Sequence, residues 1–93
     1  MASLDDVLDA LRHYRHALVT FDAALAQSHA QLRKHHDAID GLWHDEASRR
    51  YHLAFEPLDS FVSTYLANQA PQLEAFIGAK LGQLEHYLQG GDS

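Results

Sequence analysis

The stretch IDGLWHDEASRRYH, residues 39–52, decides the fold, because it separates two long helical patterns. Gly41 stands where a left-handed residue commonly ends a helix. Asp45 can accept hydrogen bonds from the first free N–H groups of the next helix. The connection is only about three to five residues long, and such a short link predicts two antiparallel neighbouring helices.

The first half of the chain carries a heptad repeat of apolar residues that has no gap. With a companion row three places on, it gives the 3-4 spacing of a helix that packs on another helix at a shallow angle. We call the repeat the leucine ladder: Leu4, Leu11, Leu18, Leu25, Leu32 and Ile39. The predicted companion row is Val7, Tyr14, Phe21, Ser28, His35 and Leu42. Small residues before the ladder positions widen the apolar face, so that a second neighbour can approach: Ala10, Ala17, Ala24 and Ala38.

The second half repeats the apolar rhythm but drifts from a strict heptad. An interior proline removes a backbone hydrogen bond and costs about 3 kcal/mol. Pro57 is expected to kink a continuing helix, whereas Pro71 either bends the same helix or begins another. The chain is therefore predicted to be one all-α domain over residues 1–93. The predicted elements are a helix over about 3–41, a turn over about 41–45, and a second helix over about 45–89.

An antiparallel helix-turn-helix hairpin is thin and leaves apolar surface in water. Because apolar burial is worth about 25 cal/mol per Å², two such hairpins are expected to pair into a four-helix bundle dimer. Gly78 and Gly82 form a pair of small residues one turn apart, where a neighbouring backbone could come close. The predicted dimer or helix-packing face is the leucine ladder with Ala10, Ala17, Ala24, Gly78 and Gly82.

Composition narrows the possible partners. The net charge of -6 argues against nucleic acid, which requires a basic surface, and against an anionic membrane surface. The chain has no cysteine, which excludes disulfides and cysteine-based zinc sites. No apolar run approaches transmembrane length. The N-terminal sequence lacks the pattern of a cleavable signal peptide, so if the protein leaves the cell, it is expected to use a route without a cleaved leader.

The central turn combines Trp43 with a small residue, Ala47, four places on and an aromatic residue, Tyr51, eight places on. In this motif, and in its length, acidity, lack of cysteine and hairpin layout, the chain resembles the Trp-Xaa-Gly (WXG) proteins of type VII secretion. The glycine of the family motif falls on Asp45, which could begin a helix by capping it. The family's export signal is an aromatic residue with an acid four places on; Tyr87 has Gly91 at that position and Asp92 one further.

The resemblance implies a non-enzymatic secreted substrate, or a targeting and chaperone partner, of a bacterial type VII secretion system. It also implies a homodimer, or a heterodimer with a paralogue or with the helical leader of an effector. A type VII ATPase would be a further partner, and the protein would be cytoplasmic before export. The residues themselves offer no Ser-His-Asp grouping and no glycine-rich phosphate loop, so neither an enzyme nor a cofactor is expected.

Eight histidines are many for a chain of this size. His35 lies in the predicted companion row and is expected to face Tyr51 and His52. Protonation there would place charge between the helices, while His35, His36 and His52 could together hold zinc. A metal-binding helical bundle and a cytoplasmic adaptor unrelated to secretion are thus the alternative functions.

Overall fold

The computed structural model describes residues 3–90, and over this range the chain forms helices and turns but no strand. The elements are α1 (Leu4–Asp40), α2 (Glu46–Thr64), a π-helical turn (Tyr65–Gln69) and α3 (Ala70–Leu88). The last three follow one another without interruption and are called the second arm. The protein measures 69 × 22 × 18 Å. The two shorter dimensions are about those expected for two helices packed side by side.

The helix ends are fixed by local hydrogen bonds. Ser3 begins α1 with a capping box, in which its hydroxyl accepts from the Asp6 N–H and the Asp6 carboxylate accepts from the Ser3 N–H. Asp45 caps α2 by accepting from the Ser48 N–H at 2.9 Å, which confirms the predicted capping. Gly41 follows α1 but has φ -75°, so the predicted left-handed conformation is wrong. The turn reverses the chain with right-handed backbone at this residue.

Contacts between the arms pair early residues with late ones. Arg12 lies 2.8 Å from Glu85, and His29 lies 2.7 Å from Asp59. Nearer the turn, His36 Nδ1 lies 3.1 Å from the Tyr51 hydroxyl. The residue numbers of facing pairs change in opposite directions, so α1 and the second arm are antiparallel.

The face that α1 turns toward the second arm differs from the prediction in one of its two rows. Leu11, Leu18 and Leu25 of the leucine ladder are half-buried at the interface. The second buried row stands four places after the ladder positions rather than three. This seam row is Leu8, Arg15, Asp22, His29 and His36. Leu8 and Asp22 are buried, His29 and His36 are half-buried, and Arg15 is exposed. The predicted companion row Val7, Tyr14, Phe21, Ser28, His35 and Leu42 is exposed throughout.

The geometry of the helix explains this error. At 3.6 residues per turn, the rows three and four places on lie about 100° apart, on opposite sides of the ladder. Only one of them can face a single neighbouring helix. The second arm places a hydrogen-bonding group opposite each of two polar residues of the seam row. Tyr65 pairs with Asp22, and Asp59 pairs with His29. The more polar row therefore faces inward, and the more apolar row is left outside.

The π-helical turn accounts for the drift of the second apolar pattern. Ser48 and Phe55 are buried seven residues apart, as are Ala70 and Ile77. Between these two pairs the rhythm carries one extra residue, which the turn Tyr65–Gln69 absorbs. Its hydrogen bond from the Ala70 N–H to the Tyr65 carbonyl spans five residues.

The prolines are accommodated without ending the second arm. Pro57 lies inside α2, which continues to Thr64. Pro71 stands in the first turn of α3, directly after the π-helical turn. A proline has no N–H and its ring crowds the carbonyl four residues before it, and π-type turns are a common site of such local adjustment in helices.

The buried core is small. One apolar cluster, at the end of the hairpin opposite the turn, consists of Leu8, Ile77 and Leu81. Phe55 is buried near the turn, and Ala70 is buried between these two regions. Within residues 3–90, none of the helices combines the length and the apolar character needed to span a membrane.

Candidate functional site

The turn end of the hairpin holds most of the predicted motif. Trp43 is half-buried, and its ring centroid lies 6.0 Å from that of Tyr51. Its carbonyl accepts a hydrogen bond from the buried Ser48 hydroxyl at 2.8 Å. Leu42, the residue directly before it, is 87% exposed. Trp43 is therefore supported by α2 rather than by its neighbour in the chain.

Asp45 joins the cap and the tryptophan in one network. Hydrogen bonds from the Ser48 N–H and from the Trp43 side chain lower the pKa of the Asp45 carboxyl, since both favour its ionised form. The structure thus brings Trp43, Asp45 and Tyr51 together. Ala47, the fourth predicted motif residue, is exposed.

An aromatic stack continues from the turn into the interface. The ring of His36 is nearly parallel to that of Phe55, with centroids 3.9 Å apart, and meets His52 edge-on at 4.9 Å. His52 Nε2 in turn lies 3.1 Å from the Asp40 carboxylate. His36, and not His35, is the histidine that faces Tyr51 and His52.

The three histidines proposed as zinc ligands do not converge. His35 is exposed, because it belongs to the row that points away from the second arm. Among residues 3–90, no three histidine or carboxylate side chains are grouped so that they could hold a metal ion. The contacts of His36 and His52 instead connect the two arms.

One long side of the hairpin carries a row of large apolar side chains. Three shallow clefts follow one another along it and share lining residues. We call this surface the apolar face: Phe21, Leu25, Leu32, Leu58, Phe61, Val62, Tyr65, Leu73 and Phe76. Phe21 is 57% exposed and Phe61 is 71% exposed. Large contiguous apolar patches on a protein surface often mark interaction sites.

The predicted dimer face is only partly available on the surface. Within the ladder, Leu4, Leu32 and Ile39 are exposed, whereas the half-buried Leu11 and Leu18 pack against the core cluster of the hairpin itself. The flanking alanines Ala10, Ala17, Ala24 and Ala38 are exposed.

Neither glycine lies against a neighbouring backbone. A Cβ atom on Gly78 would meet the Arg15 side chain at an ordinary 3.6 Å, and one on Gly82 would meet no atom of residues 3–90 within 4 Å. The close backbone approach suggested by the sequence therefore does not occur within the hairpin.

Sequence reasoning missed the polar seam residues, above all Asp22 and Glu74. A usable signal was present: Arg15, Asp22, His29 and His36 recur every seven residues. In an antiparallel hairpin, the residue numbers of two facing positions add up to a nearly constant sum. This rule pairs Asp22 with Tyr65 and His36 with Tyr51. Read together, these two regularities identify the seam row.

The sequence comparison with the family's export signal involves Tyr87, Gly91 and Asp92. Of these, Gly91 and Asp92 lie outside the described residues. Comparison with known proteins finds no matching family model, no matching curated protein and no matching solved structure.

Proposed function

We propose that the protein is a non-enzymatic hairpin that acts by helix-on-helix association, as a WXG-like substrate or targeting and chaperone partner of a bacterial type VII secretion system. The observation that carries the proposal is the apolar face. Its partner would be another helical hairpin, either a second copy or a paralogue, or the helical leader of an effector. The product would be a four-helix bundle.

The large accessible surface of the single hairpin supports the proposal that it binds a partner. The accessible surface is 7052 Å², whereas a compact monomer of this mass exposes about 5,400 Å². The excess of about 1,600 Å² is roughly twice what each partner buries in a standard interface. The radius of gyration, 20.2 Å, likewise exceeds the value of about 12 Å for a compact domain of this length.

The shape of the apolar face fits a helical partner. Side chains from α1 and from the second arm border two of the three clefts, so this part of the surface is a groove between two antiparallel helices. Phe21 of α1 and Phe61 of α2 line the same cleft. Helices that pack into such grooves at shallow angles form four-helix bundles.

The turn motif supports the secretion half of the proposal. Trp43 is half-buried, so part of its ring remains at the surface beside the Asp45 carboxylate. An aromatic ring and a fixed negative charge at the tip of a hairpin provide a compact recognition surface that does not overlap the apolar face. A secretion ATPase could bind there while the bundle stays intact.

Sedimentation velocity at micromolar concentration tests the association. The wild-type protein should sediment as a dimer, or as a heterodimer when a paralogue is co-expressed. Phe61→Ser places a polar group in the proposed interface and should shift the protein toward the monomer. Leu53→Ser is the matched control, because Leu53 is 69% exposed on the same helix and outside the apolar face, and it should leave the dimer unchanged.

A wild-type protein that stays monomeric, alone and with every candidate partner, would refute the association. Equal loss of the dimer in both variants would refute the assignment of the face. Export is tested separately in a bacterium with a type VII system, where the protein should reach the medium only while the system's ATPase is functional. Association without export would instead favour a cytoplasmic adaptor.

A further inference from the structure

A buried carboxylate with an unpaired oxygen lies in the middle of the hairpin. Asp22 is 5% exposed, although charged side chains are rarely buried without partners. Its Oδ1 accepts a hydrogen bond of 2.7 Å from the Tyr65 hydroxyl. Its Oδ2 is buried and has no hydrogen-bond partner among residues 3–90. Such an oxygen calls for a donor.

A second carboxyl group borders the cleft that Asp22 lines. Glu74 of α3 lines the same cleft as Asp22 and is half-buried. The other walls of the cleft are mainly apolar: Val19, Ala23, Ala26, Leu66, Ala70 and Pro71. Two ionised carboxylates would repel each other in this setting, whereas a protonated Glu74 can donate to Asp22.

We propose that Asp22 and Glu74 hold one proton between them, so that their contact joins α1 to α3 as a pH-sensitive switch in the hairpin. With the proton in place, Glu74 donates to Oδ2 while Tyr65 donates to Oδ1, and the buried carboxylate is fully paired. When the proton leaves, two negative charges face each other and the contact is lost. This inference does not depend on the proposed function.

The other charged and titratable groups around the pair are consistent with one retained proton. From α1, the guanidinium of Arg15 lies close to Gly78, one turn beyond Glu74, and favours ionised Glu74. The hydrogen bond that protonated Glu74 would donate to Asp22, burial and the Asp22 charge act against it and together raise the pKa of Glu74. From the π-helical turn, the bond donated to Asp22 raises the pKa of Tyr65, so the phenol stays protonated. Tyr14 contributes weakly to the same Tyr65 shift.

The sign of the pH dependence follows from the direction of the Glu74 shift. A raised pKa means that the folded chain binds this proton more tightly than the unfolded chain does. The resulting stability is fully present below the ordinary pKa of a glutamate, about 4.3, and is lost as the pH rises through the higher pKa of the folded state.

Carboxyl ¹³C NMR of the wild-type protein gives the direct test. Glu74 should titrate at a higher pH than Glu56, an exposed glutamate of α2. In Asp22→Asn, an amide can accept from Tyr65 and donate to ionised Glu74, so the Glu74 midpoint should fall toward that of Glu56. Identical midpoints for the two glutamates in the wild type would overturn the proposal.

Thermal melts between pH 5 and pH 7.5 give a second test. Glu74→Gln provides a permanent N–H donor and should raise Tm at pH 7.5, with a smaller change in Tm across the range than the wild type shows. Glu56→Gln removes the same charge at an exposed site and should keep the wild-type pH profile. If both variants behave alike, the proton is not held by this pair. Should Glu74→Gln fail to fold, the NMR titration still decides.

Discussion

Phe55→Ala should reveal how much of the stability resides at the turn end. Phe55 is 8% exposed and stacks on His36 at 3.9 Å. The substitution returns about 150 Å² of apolar burial, which at about 25 cal/mol per Å² corresponds to close to 4 kcal/mol. Measured Phe-to-Ala losses in cores are about 3–5 kcal/mol. A domain of this length has a total stability of about 5–14 kcal/mol, so the variant should be close to unfolding.

Urea unfolding followed by circular dichroism measures this loss. Protein concentration must be equal in all samples, because association adds to apparent stability. Leu53→Ala is the control, since an exposed apolar residue should change the free energy of unfolding by no more than about 0.5 kcal/mol. If Phe55→Ala costs no more than Leu53→Ala, the stack against His36 does not form in solution, and the assignment of His36 to the seam is wrong.

Two further variants examine the turn. Trp43→Ala should lower the free energy of unfolding by about 1–2 kcal/mol, because Trp43 is half-buried. This loss is smaller than the roughly 3–5 kcal/mol typical of a fully buried aromatic residue. Unchanged stability together with failed export in the secretion assay would show that Trp43 acts only in recognition. Asp45→Ala should lower Tm at pH 7 through loss of the helix cap. Because the pKa of Asp45 is lowered in the fold, this capping stability is present above the ordinary pKa of an aspartate and is lost as the pH falls through the folded-state value. The difference in Tm between Asp45→Ala and the wild type should therefore shrink as the pH is lowered. A difference that persists in strong acid would contradict the capping role of the Asp45 carboxylate. Asp37→Ala, at an exposed position of α1, serves as the control.

The all-helical class could be predicted because it depends on local information. Seven-residue spacing, the absence of glycine and proline before Gly41, and the capping ability of Asp45 are all properties of neighbouring residues. The orientation of α1 about its own axis was not predictable in the same way. Phe21 and Asp22 are adjacent, and partners on the second arm such as Tyr65 favour burial of the carboxylate while the aromatic ring is left outside.

The candidate site shows the same division. Trp43, Asp45 and Tyr51 are close in sequence, so their proximity follows from helical spacing. Asp22 and Glu74 meet only after the chain has reversed and the π-helical turn has rotated α3 by one residue. The only trace of that rotation in the sequence is an irregular spacing of apolar residues in the second half. This spacing does not show where along the helix the extra residue is accommodated.

The antiparallel layout also has a kinetic consequence. The contact of His36 with Tyr51 closes a loop of 15 residues, whereas that of Arg12 with Glu85 closes one of 73 residues. Loop-closure entropy makes the longer loop about 1.4 kcal/mol more costly when it forms first. The hairpin is therefore expected to close from Trp43 outward, each contact shortening the loop left for the next. The apolar cluster of Leu8, Ile77 and Leu81 lies at the far end, where it holds together the two chain ends that meet last.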